Sequence, residues 1–152
     1  MVEFGPAREP ELAQLIELLG LLFEAEAEFR PDAGKQEAGL RMILGDPARG
    51  RIYVAREARR VVAMSSLLFT VSTAEGGKAA WFEDLIVRPE YRRQGVAAQM
   101  LSYVIGEARK EGLVRITLLT DMQNEQAQAL YRRAGFVGSP MRPMRLKLKG
   151  KS

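Results

Sequence analysis

Residues 83 to 97 constrain the fold of this chain more than any other stretch. An apolar strand, Leu85 to Val87, runs into Arg88-Pro89, where proline cannot continue regular strand pairing. A basic loop with one glycine, Arg92 to Gly95, follows, and helical periodicity begins directly after it. This order exposes backbone N–H groups at the positive end of a helix dipole. The stretch therefore predicts a strand, an anion-binding loop and a helix, with a phosphate group as the expected anion.

Apolar periodicity predicts helices and strands along the whole chain. Helical spacing marks helices at Glu11 to Phe29, Asp32 to Leu44, Gln94 to Lys110 and Asn124 to Ala134. Apolar and β-branched runs mark strands at residues 2 to 8, Arg51 to Arg56, Val61 to Thr73, Ala79 to Val87, Val114 to Thr120 and Met144 to Lys149.

These elements predict an α/β fold in a single domain over residues 1–152. Short turns join the three strands between residues 51 and 87, which predicts an antiparallel meander. The helix at residues 94 to 110 lies between two strands, which predicts a parallel, right-handed β-α-β crossover. The expected structure is a mixed, mostly antiparallel sheet flanked by helices. Trp81 and Phe82 are expected in the core, on opposite faces of their strand.

Two residue types are missing from the sequence, and their absence limits the chemistry. There is no cysteine, which excludes disulfides, thiolate metal sites and a cysteine acyl-enzyme. There is no histidine, which excludes the Ser-His-Asp triad and the usual zinc centres. Acid–base work therefore falls to Asp, Glu, Tyr or Lys, and we expect no metal cofactor.

The net charge of +4 comes from the C-terminal segment. Residues 141–152 contain five basic residues and no acid, which leaves 18 basic and 19 acidic residues elsewhere. Alternation of Met and Leu with Arg and Lys predicts a half-exposed antiparallel strand there. Because this strand accounts for the excess of basic residues, we expect no nucleic-acid partner. No apolar run approaches the roughly 20 residues that cross a bilayer, and no signal peptide is evident. We therefore expect a cytoplasmic protein without a membrane partner.

The stretch from Val87 to Ala97 resembles the acyl-CoA signature of the GNAT superfamily of N-acetyltransferases. The pattern Arg/Gln-x-x-Gly-x-Gly/Ala is met at Arg92, Gly95 and Ala97. A second family motif is similar to Asn124 through Phe136, and the two motifs follow the family's order and spacing. The loop lacks the Gly-Lys-Ser/Thr of a nucleoside-triphosphate P-loop and the three glycines of a dinucleotide fingerprint.

The resemblance implies where acetyl-CoA binds. The backbone amides of Arg93 through Ala97 would hold the pyrophosphate, with arginine side chains adding attraction. In the family, the pantetheine arm pairs like an added strand along the equivalent of Leu85 to Val87, which splays from the following strand. Asn124 matches a frequent cofactor contact and also fits a helix N-cap. The implied cofactor-binding residues are Leu85, Ile86, Val87, Arg92, Arg93, Gln94, Gly95, Val96, Ala97 and Asn124.

The resemblance also implies two catalytic residues. Tyr131 stands at the place of the tyrosine that protonates the departing CoA thiolate, although a tyrosine here also fits a purely packing role. Glu83 is the favoured general base by family analogy, directly or through a water, and whether Glu83, Asp84 or an ordered water acts as the base stays open. The alternative for Glu83 is a carboxylate that is exposed or that only recognises the amine. In a regular strand Glu83 and Asp84 point to opposite faces, so at most one would face the cleft.

The expected function is direct transfer of an acetyl group from acetyl-CoA to a primary amine of a small molecule. Two alternatives stay open: a protein or peptide N-acetyltransferase, and a non-catalytic acyl-CoA-binding sensor or interaction module. The glutamates from Glu24 to Glu28 fit either a surface that attracts a cationic acceptor or a solvated helix face. A homodimer is common in this family, and the predicted strand at Met144 to Lys149 would offer an edge for it.

Overall fold

The computed structural model describes residues 1–26 and 28–150. Five strands and four α-helices make up the regular structure of this part of the chain, together with two short 3₁₀ helices. The strands are β1 (Glu3–Pro6), β2 (Gly50–Glu57), β3 (Arg60–Ser72), β4 (Gly77–Val87) and β5 (Ile116–Leu118). The helices are α1 (Leu12–Ala25), α2 (Ala33–Leu44), α3 (Val96–Lys110) and α4 (Glu125–Arg133). None of the helices in the described residues is long and apolar enough to span a membrane.

The strands form one sheet in the order β1-β2-β3-β4-β5. The first four strands are antiparallel neighbours, and β5 lies parallel to β4. Helix α3 connects β4 to β5, which is the geometry that a parallel pair requires, because its connection must cross the sheet. The predicted α/β class, the antiparallel meander and the parallel crossover are therefore confirmed.

Each face of the sheet carries its own apolar core. Helix α3 covers one face and buries Met100, Leu101 and Val104 against β2, β3 and β4. Helices α1 and α2 cover the other face, where Leu15 and Leu18 are fully buried. Each such side chain stabilises the fold by about 1.5–3 kcal/mol relative to an exposed one. Burial on both sides explains why β3 reads as a nearly continuous apolar run.

A buried ion pair fixes the start of α1 against the sheet. Nε of Arg56, on β2, donates to Oε2 of Glu11 at 2.6 Å, and Nη2 donates to Oε1 at 2.8 Å. The same Nη2 donates to the Pro6 carbonyl at 2.7 Å, and the Arg8 N–H donates to Glu11 Oε1 at 2.8 Å. This bidentate geometry satisfies both buried groups and holds the start of α1 against β2.

Two predictions about regular structure are wrong: the C-terminal end of the first helix, and the strand at Met144 to Lys149. Helix α1 ends at Ala25 and not at Phe29, because Glu26 already has an extended backbone with φ −90° and ψ 143°. The predicted strand at Met144 to Lys149 is absent from the described chain. Alternating apolar and basic residues favour a strand only where a partner edge is available. Here Met144, Leu146 and Leu148 are all more than 80% exposed, and the expected edge for a homodimer is not formed.

The segment after Phe136 runs beside the α1–α2 connection instead. The guanidinium of Arg145 pairs with the carboxylate of Glu28 and lies 5.6 Å from the centroid of the Phe29 ring. The C-terminal segment therefore borders a cavity between the α1–α2 connection and the sheet.

Candidate functional site

Strand β4 contains a β-bulge at Asp84. The pairing with β3 runs through Met64–Ile86 and Ser66–Glu83, so β4 has one residue more than β3 between these pairs. Asp84 takes up the extra residue with a φ of +60°, in the left-handed region that non-glycine residues rarely adopt. The bulge breaks the regular alternation, and as a result Glu83 and Asp84 both line the same cavity. The expectation that only one of them would face the cleft is wrong for this reason.

Strands β4 and β5 separate one residue before this bulge. Their parallel pairing runs from Ala80–Ile116 to Phe82–Leu118 and then stops, while β4 stays paired with β3 up to Val87. From Glu83 onward β4 therefore has a hydrogen-bonding edge that β5 does not cover. This is a splayed strand pair, at the position that the resemblance implied.

The open edge presents the backbone of Leu85 and Val87. The Arg88 N–H donates to the Val62 carbonyl of β3 at 2.8 Å. Successive residues of a strand direct their backbone groups to opposite sides, so those of Val87 and Leu85 point away from β3. Ile86 lies between them, with its backbone in register with Met64 and its side chain buried. Leu85 and Val87 are thus placed for pairing with an extended ligand, and Ile86 faces the sheet.

The loop between β4 and α3 follows directly after this open edge. Arg93 has a φ of +62°, and Gly95 has a φ of +79° as the N-cap residue of α3. Left-handed residues in such a loop turn consecutive N–H groups inward, which creates a concave anion site at the positive end of the helix dipole. The side chain of Val96 is buried, so only its backbone is available. The 15-residue length of α3 makes this the N-terminus of a substantial helix dipole.

The polar side chains of the loop differ in what they contact. Nε of Arg92 donates to the Val87 carbonyl at 3.2 Å, which occupies one acceptor of the open edge. Nε2 of Gln94 donates to the Glu90 carbonyl at 3.1 Å and holds the loop closed. Arg93 is exposed and makes no ion pair within the described residues. Arg93 is therefore the side chain best placed to meet an incoming anion.

Helix α4 brings Tyr131 to the point where β4 and β5 separate. The Tyr131 ring lies edge-on to Phe82, the last residue of β4 that pairs with β5, with ring centroids 6.3 Å apart. Phe136 holds the ring from the other side at 5.9 Å. The Tyr131 hydroxyl makes no hydrogen bond in the described part of the chain, and burial raises the pKa of this phenol above its usual value of 10.0. The group therefore stays protonated at neutral pH.

Asn124 begins α4 as its N-cap residue. Its Oδ1 accepts a hydrogen bond from the Ala127 N–H at 3.0 Å, which satisfies one of the free N–H groups of the first turn. The structure thus shows the capping role, and the amide nitrogen of Asn124 has no hydrogen bond within the described residues.

A cavity of about 1100 Å³ lies beside the splay, between the sheet and the α1–α2 connection. Trp81, Phe23 and Phe29 contribute aromatic walls, and Trp81 is 39% exposed into this space and not packed in the core as expected. Phe82 also borders this cavity, but its side chain is buried as predicted, in the core beneath α3. The C-terminal residues from Pro143 to Arg145 border the outer end.

Six carboxylates line this cavity: Glu26, Glu28, Asp32, Glu83, Asp84 and Asp121. Burial raises the pKa of Asp84 from 3.8 to about 7, and the nearby charges of Glu83 and Glu26 add to the effect. Burial also raises the pKa of Glu83 and Glu26, the latter with the help of Asp121. No group of three or more His, Cys, Asp or Glu side chains in the described residues is placed to hold a metal ion.

The structure brings most of the sequence-derived candidates together along β4. The open edge begins at Glu83, directly after the β4–β5 separation, Tyr131 packs against Phe82 at that separation, and the anion loop follows the other end of the open edge. Sequence reasoning considered Asp84 beside Glu83 and Glu26 within the Glu24 to Glu28 segment, but it missed Asp121 and Gln36 as wall residues of the cavity. The adjacent acidic residues Glu83 and Asp84 inside an apolar strand could have predicted a β-bulge at this position. The positions of Glu26 and Asp121 carried no such signal, because their proximity depends on tertiary packing.

Comparison with known proteins agrees with this geometry. The pattern that defines the Acetyltransferase (GNAT) family matches residues 13–136. Glucosamine 6-phosphate N-acetyltransferase of Trypanosoma brucei brucei is 27% identical over 97% of this chain and 96% of that protein. The chloroplastic GCN5-related N-acetyltransferase 6 of Arabidopsis thaliana is 29% identical over 47% of this chain, which spans only 25% of that protein.

Solved structures share the fold. A possible acetyltransferase from Clostridium difficile 630 superimposes with a TM-score of 0.88, at 21% identity and with 99% of each chain covered. A predicted acetyltransferase from Clostridium acetobutylicum, crystallised with acetyl-CoA, superimposes with a TM-score of 0.78, at 18% identity and with 97% of each chain covered.

The raised pKa of Asp84 predicts a pH-dependent stability gain in the variant Asp84→Asn. Between pH 4 and about 7 the unfolded carboxyl is ionised while the folded one holds its proton, so the wild-type protein loses stability as pH rises through this window. Asn carries no charge at any of these pH values, and its advantage in the free energy of unfolding grows to at most about 4 kcal/mol above pH 7. Urea denaturation at pH 5 and pH 8 measures the difference.

The control for this measurement is Glu24→Gln, which removes an exposed carboxylate near the end of α1 that does not border the cavity. We expect its effect to be small and nearly independent of pH. An Asp84→Asn effect of equal size at both pH values would contradict the assignment of Asp84 as a buried acid.

Proposed function

This chain belongs to the GNAT family of acetyltransferases, and we propose that it transfers the acetyl group of acetyl-CoA directly to a primary amine of a small molecule. The observation that supports this proposal most strongly is the separation of β4 from β5 after Phe82. The separation leaves an open backbone edge that leads to the anion loop, and it also borders an acidic cavity. The edge and the loop fit a donor with an extended arm and a pyrophosphate, and the acidic cavity fits an amine.

The residues of the chain fit acetyl-CoA at three points. The backbone N–H groups from Arg93 to Ala97 would meet the pyrophosphate, with Arg93 adding a charged contact. The backbone groups of Leu85 and Val87 that face the open edge would pair with the amides of the pantetheine arm, as an added strand does, with the Val87 carbonyl shared with Nε of Arg92. Acetyl-CoA, when bound, supplies an activated thioester. The proposal rests on this chemistry together with the family assignment.

Asp84 is the carboxylate best suited to accept the proton from the acceptor ammonium. Its pKa of about 7 lies close to neutral pH, where a base can both hold and release a proton. It is half-buried at the bulge, whereas the Glu83 side chain is exposed. We therefore propose Asp84 as general base in place of the Glu83 that family analogy favours, with Glu83 helping to hold the ammonium. The neutral amine nitrogen then attacks the acetyl carbonyl carbon.

Tyr131 is proposed as the general acid. As the carbon–sulfur bond breaks, its hydroxyl donates a proton to the sulfur of the leaving thiolate, and the proton lost by the amine restores the phenol through solvent. A protonated phenol is available because burial raises its pKa. The chain has no cysteine to form a cysteine acyl-enzyme, so the acetyl group passes directly between donor and acceptor.

The variant Gly95→Val tests the anion loop. A β-branched residue resists the left-handed backbone of Gly95, at a cost of about 1–2 kcal/mol, so the loop will relax and lose its inward-facing N–H groups. We expect acetyl-CoA to bind at least about tenfold more weakly, as measured by calorimetry. The matched control is Gly76→Val in the β3–β4 turn, where φ is +69° and no atom would lie within 4 Å of an added Cβ. Equal acetyl-CoA affinity in both variants would show that the loop does not bind acetyl-CoA.

The variant Tyr131→Phe tests the general acid. We expect kcat to fall by about 10²-fold with acetyl-CoA affinity and thermal stability unchanged, because the hydroxyl makes no hydrogen bond within the described residues. Tyr103→Phe is the control, since it removes a tyrosine hydroxyl that contacts Glu107 on α3, remote from the splay. An unchanged kcat in Tyr131→Phe would leave the ring with a packing role alone.

The pH profile of the rate separates the two candidate bases. Wild-type kcat/KM is expected to rise with pH and to show an inflection near pH 7, where Asp84 loses its proton. Asp84→Asn should lower the rate by about 10²-fold and abolish this inflection, while Glu83→Gln should keep it. The reverse result would restore Glu83 as the base. Tight acetyl-CoA binding with no CoA release across a broad amine panel would instead indicate a binding module.

A further inference from the structure

The anion loop lies at the surface, and its backbone conformation needs support. Residues 92 to 95 are exposed, whereas Arg88 before them and Val96 after them are buried. Arg93, in the middle of the loop, has a φ of +62°. A non-glycine residue keeps such a left-handed conformation only where the surrounding structure holds it. Contacts from outside the loop must therefore fix its shape.

The end of the β2–β3 hairpin provides such contacts. Glu57 is the last residue of β2 and Arg60 is the first of β3, and the two are paired across a two-residue turn. The Tyr91 hydroxyl donates a hydrogen bond to Oε2 of Glu57. Nη2 of Arg60 donates to Oε2 of Glu90 at 2.6 Å. Glu57 and Arg60, here called the hairpin pair, thus hold two successive residues just before the anion loop.

These contacts continue into the loop itself. Glu90 and Tyr91 belong to the 3₁₀ turn Pro89–Tyr91, and Nε2 of Gln94 donates to the Glu90 carbonyl at 3.1 Å. The Tyr91 ring packs against the core beneath α3, while its hydroxyl is held by Glu57. The hydrogen bond from Tyr91 lowers the pKa of Glu57, so the acceptor stays ionised at neutral pH. Tyr91 is therefore fixed at both ends.

The hairpin is attached to the core of the fold close to its turn. Where the register between β2 and β3 shifts, β3 contains one extra residue, Val62. On α1, Nε2 of Gln14 donates to the Arg59 carbonyl at 3.3 Å, and its Oε1 accepts from the Val61 N–H at 2.8 Å. Nε of the buried Arg88 donates to the Val61 carbonyl at 2.7 Å. The hairpin pair therefore has a fixed base from which to hold the turn before the loop.

We infer that Glu57 and Arg60 are positioning residues for the acetyl donor. Through Tyr91 and Glu90 they keep the anion loop in the conformation that binds the pyrophosphate of acetyl-CoA. This inference rests on the proposed function and goes further, because it assigns the shape of the donor site to residues outside the loop. A site that already has its binding conformation loses less entropy when the ligand binds. Both contacts are partly exposed, and such pairs contribute little individually, so the expected effect on affinity is severalfold.

Two donors that differ in the pyrophosphate test the inference. S-acetylpantetheine has the thioester and the extended arm of acetyl-CoA but lacks the pyrophosphate and the nucleotide. The variant Tyr91→Phe removes the hydrogen bond to Glu57 without changing a charge. We expect KM for acetyl-CoA to rise about threefold with kcat unchanged, and kcat/KM for S-acetylpantetheine to stay the same, because this donor has no group for the loop to bind. The rates are measured as thiol release.

A purely structural role of Tyr91 gives a different result. An equal loss of kcat/KM with both donors, or no loss with either, would overturn the inference. Tyr103→Phe is the matched control, because the Tyr103 hydroxyl also donates to a glutamate, Glu107, but lies within α3 and outside the hairpin contacts. We expect it to leave the rates with both donors unchanged.

Variants of Glu57 separate positioning from simple electrostatics. Removing a carboxylate near an anion site would by itself strengthen acetyl-CoA binding, and so would freeing the N-terminal ammonium, which lies 3.3 Å from Oε1 of Glu57. We expect Glu57→Ala instead to bind acetyl-CoA about threefold more weakly by calorimetry. Glu57→Gln keeps an acceptor for the Tyr91 hydroxyl and should recover most of the affinity. Adding Tyr91→Phe to Glu57→Ala should weaken binding no further, because both changes remove the same contact.

The remaining outcomes separate this inference from the proposed function. Equal or tighter acetyl-CoA binding in Glu57→Ala than in the wild-type protein would overturn the inference and leave the proposed function standing. If no amine is acetylated, the proposed function fails, and calorimetry with CoA still decides the inference. Weaker CoA binding in Glu57→Ala that is recovered in Glu57→Gln supports it. If the wild-type protein does not bind CoA, both the proposed function and the inference are overturned.

Discussion

The separation of β4 from β5 after Phe82 is the constraint on which the rest of the site depends. A strand inside a sheet forms backbone hydrogen bonds with neighbours on both sides. The last five residues of β4, Glu83 to Val87, have a neighbouring strand on the β3 side only. The open edge is therefore not a defect of packing. It ends at the anion loop before α3, and the bulge at Asp84 lies within it. One departure from regular pairing thus arranges a backbone surface, an anion loop and an acidic wall.

The distribution of charge partners distinguishes scaffold from site. Glu11 and Arg56 are buried as a bidentate pair, and the buried Arg88 donates to the Val61 carbonyl and to the Glu17 carboxylate. These groups are satisfied within the protein, and they fix α1 on the sheet. Among the cavity carboxylates, Glu26, Glu83, Asp84 and Asp121 form no ion pair within residues 1–26 and 28–150, although Asp84 is half-buried. A protein keeps unpaired carboxylates in a partly buried wall at a cost in stability, which is the usual state of a site that awaits a ligand.

The regular elements were predictable because their periodicity is local. Apolar spacing gave α2, α3 and α4 to within about two residues, and Asn124 is confirmed as the N-cap residue of α4. The strand at Met144 to Lys149 was wrong because strand formation needs a partner edge, and alternation describes only the strand itself. Trp81 was wrong for a related reason: an aromatic residue in a strand is buried only where another layer covers it, and at Trp81 the cavity takes the place of that layer.

The sequence by itself determined the strand–loop–helix from residue 83 to 97, the α/β fold class and the family resemblance, because these depend on residues adjacent in the chain. It also placed Tyr131 and the open edge at Leu85 and Val87 through two motifs of fixed spacing. Only the tertiary structure decided which carboxylates share the cavity. Asp84 turns into it through a bulge, which depends on the register with β3, and Glu26 reaches it because α1 ends early. Asp121 joins them from a distant segment of the chain. Electrostatic interaction depends on distance in space, so the pKa of Asp84 and the acidic character of the cavity arise only when the folded chain brings these residues together.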